Sequence, residues 1–190
     1  MIESIRRAVS ESLRLKQTFF AANEERISAL AREVCQALER GNKILLFGNG
    51  GSAADAQHIA AEWIGRFRRE RRPLAAIALT TDTSILTSIG NDYGYEQIFV
   101  RQVRGLGSKG DVSIALSTSG NSPNVLLATA AARELGMVTA GLTGSDGGKL
   151  GSLVSYHLNV AHQSTARVQE IHIMIGHILC ELVDETLTGL

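Results

Sequence analysis

The chain has 190 residues and a mass of 20.4 kDa, enough for one domain of ordinary size and too little for two. Its 19 Lys and Arg offset 19 Asp and Glu, so with neutral histidines the formal charge is zero, which argues against nucleic acid as a partner. Hydrophobic residues make up 44%, and 19 glycines accompany 2 prolines, a composition of ordered turns rather than of a disordered linker.

The amino terminus, Met1-Ile2-Glu3-Ser4-Ile5-Arg6-Arg7, lacks the apolar stretch of a signal peptide. No window reaches the ~18 uninterrupted apolar residues of a membrane span. A cytoplasmic protein with no membrane contact is expected. Residues 1–40 read as two amphipathic helices that serve oligomer packing. Ile27, Leu30, Ala31, Val34, Cys35 and Leu38 fall at helical spacing, Asn23 before Glu24-Glu25 suits a cap, and Gly41 suits a stop. Residues 41–190 then alternate short apolar runs with helical stretches. The runs are 43–47, 74–79, 112–116, 137–142 and 156–160, a pattern that predicts βαβ units and a parallel sheet covered on both faces. The last helix is predicted over 165–186. Val168, Ile171, Ile175, Ile178, Leu179 and Leu182 wrap most of its circumference, so it is expected to bury against a partner chain as well as the sheet. Cys35 and Cys180 read as buried free thiols. The cluster Arg66, Arg68, Arg69, Arg71, Arg72 reads as a solvated helix end with inter-subunit ion pairs.

The first strand runs into Gly48-Asn49-Gly50-Gly51-Ser52 and a helix, where glycines let a ligand approach the amides of the helix N-terminus. Gly48, Gly50 and Ala53 satisfy one dinucleotide-binding pattern. The acidic residue expected at the end of the second strand is replaced by Leu79-Thr80-Thr81, with Asp82 coming late. A ligand at this edge other than NAD is therefore expected. After the third apolar run comes Ser117-Thr118-Ser119-Gly120-Asn121-Ser122-Pro123, with Ser122 and Pro123 suited to the N-cap and first position of a helix. One serine would cap that helix. Four hydroxyls exceed capping and predict a cradle for a phosphate monoester, built without lysine or arginine. Gly144 to Lys149 resembles a nucleotide loop only superficially, because Leu150 stands where Ser or Thr would bind magnesium, and a turn is expected. His58 and Glu62 share a helix face at i,i+4, which suits a divalent metal, a proton-transfer pair or a plain surface ion pair. Gln169, His172 and His177 lie on the apolar last helix, and His172 reads as a satisfied core residue.

Taken together, Gly48-Asn49-Gly50-Gly51-Ser52, the loop Ser117 to Ser122, Gly90-Asn91-Asp92, Leu142-Thr143-Gly144 with Asp146-Gly147-Gly148, and Gln169-Glu170-Ile171-His172 resemble the sugar isomerase (SIS) domain family. The likeness is to its phosphoheptose isomerase branch and runs in register over roughly residues 40 to 187. It implies a single SIS domain, a five-stranded parallel α/β sandwich of flavodoxin-like three-layer form. It also implies a homotetramer with active sites at subunit interfaces and one Zn2+ per subunit. The implied reaction converts sedoheptulose 7-phosphate to D-glycero-D-manno-heptose 7-phosphate, an early step toward the nucleotide-activated heptose of lipopolysaccharide and other surface polysaccharide. Position by position, His58, Glu62, Gln169 and His177 fall on the family's metal ligands, and Glu62 and His177 on its catalytic pair. Asn49, Gly50, Gly51, Ser52, Glu62, Asn91, Asp92, Ser117, Thr118, Ser119, Ser122 and Gln169 fall on its substrate positions. Ala166 departs from the pattern, since some members have an acidic residue there.

Such an isomerisation needs a base beside the carbonyl, an acid at the carbonyl oxygen and a lock on the substrate. Glu62 is expected as the base of a cis-enediol mechanism and His177 as the acid. One spacing resists the metal assignment: Gln169 and His177 are eight residues apart, ~12 Å along a continuous helix. Either ligands come from more than one chain, or the helix starts late and Gln169 sits on a frayed end. The competing class is a non-catalytic SIS module that binds a phosphosugar or a replication initiator; the presence of His58, Glu62 and His177 favours the enzyme.

Overall fold

The structure, a computed structural model, describes residues 1–187; residues 188–190, part of the predicted domain, lie outside the described residues. The first element is α1 (Ile2–Glu39), one helix where two were expected. Nothing between residues 2 and 39 breaks a helix: the first glycine is Gly41 and no proline precedes it. Asn23 does not cap, because its Nδ2 donates to the Phe19 carbonyl one turn back and the helix continues past it. The stop falls where expected, with Gly41 at φ +81° just beyond Arg40.

The five strands are β1 (Ile44–Gly48), β2 (Ala76–Ala78), β3 (Val112–Ser117), β4 (Val138–Gly144) and β5 (Tyr156–Val160). All pair in parallel in the order β2-β1-β3-β4-β5. The helices between them are α2 (Gly51–Ile64), α3 (Thr83–Tyr93), α4 (Val100–Leu106), α5 (Pro123–Glu134) and, after β5, α6 (Thr165–Thr186). The predicted strands and the predicted last helix are thus in place. Alternation along β1 explains the two covered faces. Ile44 and Leu46 join one core with α1, α2 and α6, whereas Leu45 and Phe47 join the other with α4 and α5.

In an open parallel sheet the strand order reverses where two neighbouring strands send their crossovers to opposite faces, leaving a crevice at their carboxyl ends. Here that point lies between β1 and β3, where Gly48 pairs with Leu116. The glycine loop and the hydroxyl loop leave the sheet side by side at this crevice.

The basic cluster corrects one expectation. Arg71 is buried, not solvated: its Nε donates to Asp184 Oδ1 at 2.6 Å, and its Nη atoms donate to the carbonyls of Trp63 and Glu62. Burial alone would raise the Asp184 carboxyl. The amides of Arg68 and Arg69 and the Arg71 guanidinium outweigh it and hold the group below the usual range. Arg68 pairs with Glu181, also within the chain. Cys35 and Cys180 are buried free thiols as expected, and burial pushes Cys180 up to about 12. No helix among the described residues is long and apolar enough to cross a membrane.

Candidate active site

A cavity of about 230 Å³ opens at the crevice between β1 and β3. Asn49, Gly51 and Ser52 line it from the first loop, Ser117, Thr118 and Ser122 from the second. Ser122 occupies the N-cap of α5 and Pro123 its first position, as expected, but the Ser122 hydroxyl makes no capping bond. It lies 3.2 Å from the Ser117 hydroxyl instead, which leaves both oxygens at the cavity. The orphan amide of Val125 is satisfied by the Asn124 side chain at 2.9 Å and by the Ser122 carbonyl. The fourth hydroxyl of the loop differs: Ser119 accepts from the Asn121 amide and does not line the cavity.

Gly120 explains how the loop holds its shape. Its φ is +63°, and a Cβ there would lie 2.1 Å from the Gly147 carbonyl oxygen. The turn after β4 therefore packs directly on the hydroxyl loop, and the Leu150 and Lys149 amides donate to the Gly120 carbonyl and to Asn121 Oδ1. The Gly144 to Lys149 segment is the turn that was expected. Gly51 plays a comparable part on the other wall, since a Cβ there would sit 2.4 Å from Gln169 Nε2. That close approach brings the Gln169 amide to the cavity edge.

A second cluster lies further along the same pair of helices. His58 Nε2 and His177 Nε2 are 2.9 Å apart, and Glu62 Oε1 is 3.5 Å from His58 Nε2. The His177 ring stacks on Phe67 at 5.5 Å between centroids, and the Arg68 guanidinium lies 5.6 Å from the centroid of the same Phe67 ring. α2 and α6 run alongside each other so that Gly51 meets Gln169 at one end and His58 meets His177 at the other. Seven and eight residues separate these contacts, about 10–12 Å of helix.

The metal expectation divides here. α6 begins at Thr165, so Gln169 is well inside a continuous helix and the frayed-end alternative is overturned. Within one protomer Gln169 does not converge with His58, Glu62 and His177. Among the described residues no group of three or more His, Cys, Asp or Glu side chains is gathered closely enough to hold a metal ion. The donor types nevertheless fit zinc: two imidazole nitrogens and a carboxylate oxygen. The 2.9 Å nitrogen separation is close to the about 3.3 Å spanned by two tetrahedral Zn–N bonds. Asp55, one turn before His58, adds a carboxyl oxygen that is buried without a hydrogen-bond partner; burial raises its pKa and His58 partly offsets this.

Asn91 and Asp92 do not line the hydroxyl cavity; they are exposed near the end of α3, with Asn91 Nδ2 donating to Asp92 Oδ1. Asp82 caps α3 by accepting from the Ile85 amide, which disposes of it as a ribose ligand. His172 is buried and bonds the Thr143 carbonyl through Nε2, but its Nδ1 has no partner, so it is only half satisfied. Volume does not mark the site: a cleft of about 860 Å³ lies between α1 and β5, around Arg26, Arg32 and His157, and shares no lining residue with the hydroxyl cavity or the His–Glu cluster.

The SIS domain family matches residues 9–144. A phosphoheptose isomerase of Aquifex aeolicus (strain VF5) is 54% identical over 185 residues, 97% of each chain. The chain belongs to the SIS domain family, in its phosphoheptose isomerase branch. Solved structures of two phosphoheptose isomerases superimpose on it closely. GmhA from Neisseria gonorrhoeae gives a TM-score of 0.91 at 48% identity, over 96% of this chain and 98% of that one. The enzyme from Francisella tularensis gives 0.93 at 37% identity, over 97% and 98%. The expected family and fold are thereby shown, and the chain is of the isomerase class.

Three residues at the candidate site escaped the sequence reading. Thr165 lines the hydroxyl cavity from the start of α6. Asn124 and Tyr95 both bond Asn49. A Thr at a helix start was a visible signal for the first; the other two carry no local motif, because their partner is distant in the chain.

Proposed function

We propose that the protein interconverts sedoheptulose 7-phosphate and D-glycero-D-manno-heptose 7-phosphate, as the resemblance implies. One observation carries this reading: a hydroxyl-lined cavity at one end of the α2–α6 pair and a His–Glu cluster about 10–12 Å along it. With C–C bonds of about 1.5 Å, an extended seven-carbon phosphomonoester spans roughly 10 Å from phosphorus to C1. The phosphate would rest among Ser52, Ser117, Thr118 and Ser122, and C1 and C2 would then reach Glu62 and His177.

Glu62 removes a proton from C1 of the ketose while His177 gives a proton to the C2 oxygen, forming a cis-enediol. Return of the carbon-bound proton to C2, with loss of the O1 proton, yields the aldose and restores both groups. Binding energy from the phosphate end orients the reacting carbons. Arg71 supports the base by holding the Glu62 carbonyl at the end of α2. His58, Glu62 and His177 would be the protomer's contribution to one zinc ion per subunit once drawn together around it, and Gln169 would join such a set only from a second subunit. The bound ion would supply Lewis-acid polarisation of the carbonyl oxygen.

The distances favour a homotetramer with composite sites. Gln169 and His177 lie eight residues apart along α6, Asn91 and Asp92 do not line the cavity, and α1 presents Ile2, Ile5, Val9 and Leu13 to solvent at helical spacing. The product would feed nucleotide-activated heptose for lipopolysaccharide or another surface polysaccharide. Contact between the three catalytic-cluster side chains supports an enzyme over the non-catalytic binding module. The test is incubation with sedoheptulose 7-phosphate, with and without chelator. Aldose is expected, with less of it after chelation; binding without conversion would establish the module instead.

A further inference from the structure

Asn49 follows β1 directly and lines the hydroxyl cavity on one side and a smaller hollow of about 120 Å³, beside Tyr95, on the other. Its side chain is held from two directions. Asn124 Nδ2 and the Tyr95 hydroxyl donate to Asn49 Oδ1 at 2.9 and 3.0 Å, and Asn49 Nδ2 donates to Asn124 Oδ1 at 2.9 Å. One backbone group decides which way both amides face. The Val125 N–H lies 2.9 Å from Asn124 Oδ1. An N–H only donates, so the Asn124 oxygen must face it. The Asn124 nitrogen then faces Asn49, and the Asn49 oxygen must face that nitrogen and the Tyr95 hydroxyl.

An amide oxygen accepts two hydrogen bonds and an amide nitrogen donates two. Both acceptor positions of Asn49 are therefore engaged, and one N–H remains. Asn124 is 2% exposed, so the Asn49–Asn124 amide pair is partly shielded from competing water, while the Tyr95 hydroxyl closes it from the solvent side. We infer that Asn124 and Tyr95 are positioning residues, which act through Asn49 by locking its amide so that the site offers substrate an N–H donor and never a carbonyl. The group so presented suits a phosphate, hydroxyl or carbonyl oxygen of a sugar phosphate. The inference rests on the isomerase reading for its substrate, but not for its geometry.

The test is a set of double-mutant cycles on the full-length protein. Tyr95 is 63% exposed, so Tyr95→Phe removes a hydroxyl without opening the core. It is expected to lower kcat/KM for sedoheptulose 7-phosphate about 3- to 10-fold, the size of one hydrogen bond. In an Asn49→Ala background the same change is expected to have no effect, because the amide it orients is gone. Asn124→Ala, with its thermal midpoint measured alongside, should show a larger loss that likewise vanishes when Asn49 is Ala. Equal losses in both backgrounds, or wild-type kinetics for Tyr95→Phe, would overturn the inference. The cycle is also read by calorimetric binding of the same sugar phosphate in a Glu62→Gln background. A wild-type protein that binds without turnover would thus defeat the isomerase reading while the coupling still decides the positioning role.

Discussion

Glu62 has a neighbour that identifies it and a geometry that tests it. Its carboxylate lies 3.5 Å from His58 Nε2, and Arg71 holds its backbone, so Glu62→Gln keeps shape and packing while removing the proposed base. Turnover is expected to fall by about 10²- to 10⁴-fold or more, with sugar phosphate binding retained by calorimetry. Undiminished turnover would remove Glu62 from the mechanism. His172 sets a different expectation. Burial holds its ring down at about 4 from an ordinary 6.5, against the Thr143 hydrogen bond that would raise it. Between those values the unfolded chain takes up a proton that the native state refuses. Stability is therefore expected to fall as the pH drops from about 6.5 toward 4, and urea midpoints across that window should show it. His172→Leu should flatten this part of the profile relative to wild type. At this scale the four hydroxyls were legible because their crowding exceeds what a helix cap uses. Asn124 and Tyr95 were not, since a lone amide or phenol reveals nothing of its partner.

The pairing of α2 with α6 is the element on which the site depends. Gly176 stands beside His177, and a Cβ at Gly176 would lie 2.4 Å from Ile59 Cδ1 on the facing helix. Gly176→Ala must push Ile59 or the helices apart, at a cost of about 1–3 kcal/mol for overpacking a buried contact. Because His58 neighbours Ile59, the same displacement should separate the two imidazoles. A lower denaturant midpoint together with a lower kcat is expected; unchanged kcat would mean that the pair tolerates movement. The extent of α6, 165–186, could be read from its unbroken apolar pattern. The single α1 could not, because a capping residue in mid-sequence looks the same whether it starts a helix or lies along one. Asn23 resolves as the latter only when its Nδ2 is seen to reach back to Phe19.

Across the whole molecule the exposed stripe Ile2, Ile5, Val9 and Leu13 is the feature a single chain leaves unexplained. A homotetramer predicts a mass in solution of about four times the 20.4 kDa protomer by light scattering. Val9→Glu with Leu13→Glu should reduce that mass and take activity with it, as composite sites require. A wild-type monomer with full turnover would eliminate the shared site.

What the sequence by itself determined was local: five strands, the loops that follow β1 and β3, and the hydroxyl crowding of the second loop. Periodicity and turn chemistry act over a few residues, and these features obey them. What only the tertiary structure decided was convergence. The strand order puts the two loops at one crevice, α2 beside α6 brings His58 to His177 across 119 positions, and a buried amide network turns Asn49 into a donor. Those contacts depend on how the two faces of the sheet are filled, a property of the folded core and not of any short stretch of chain.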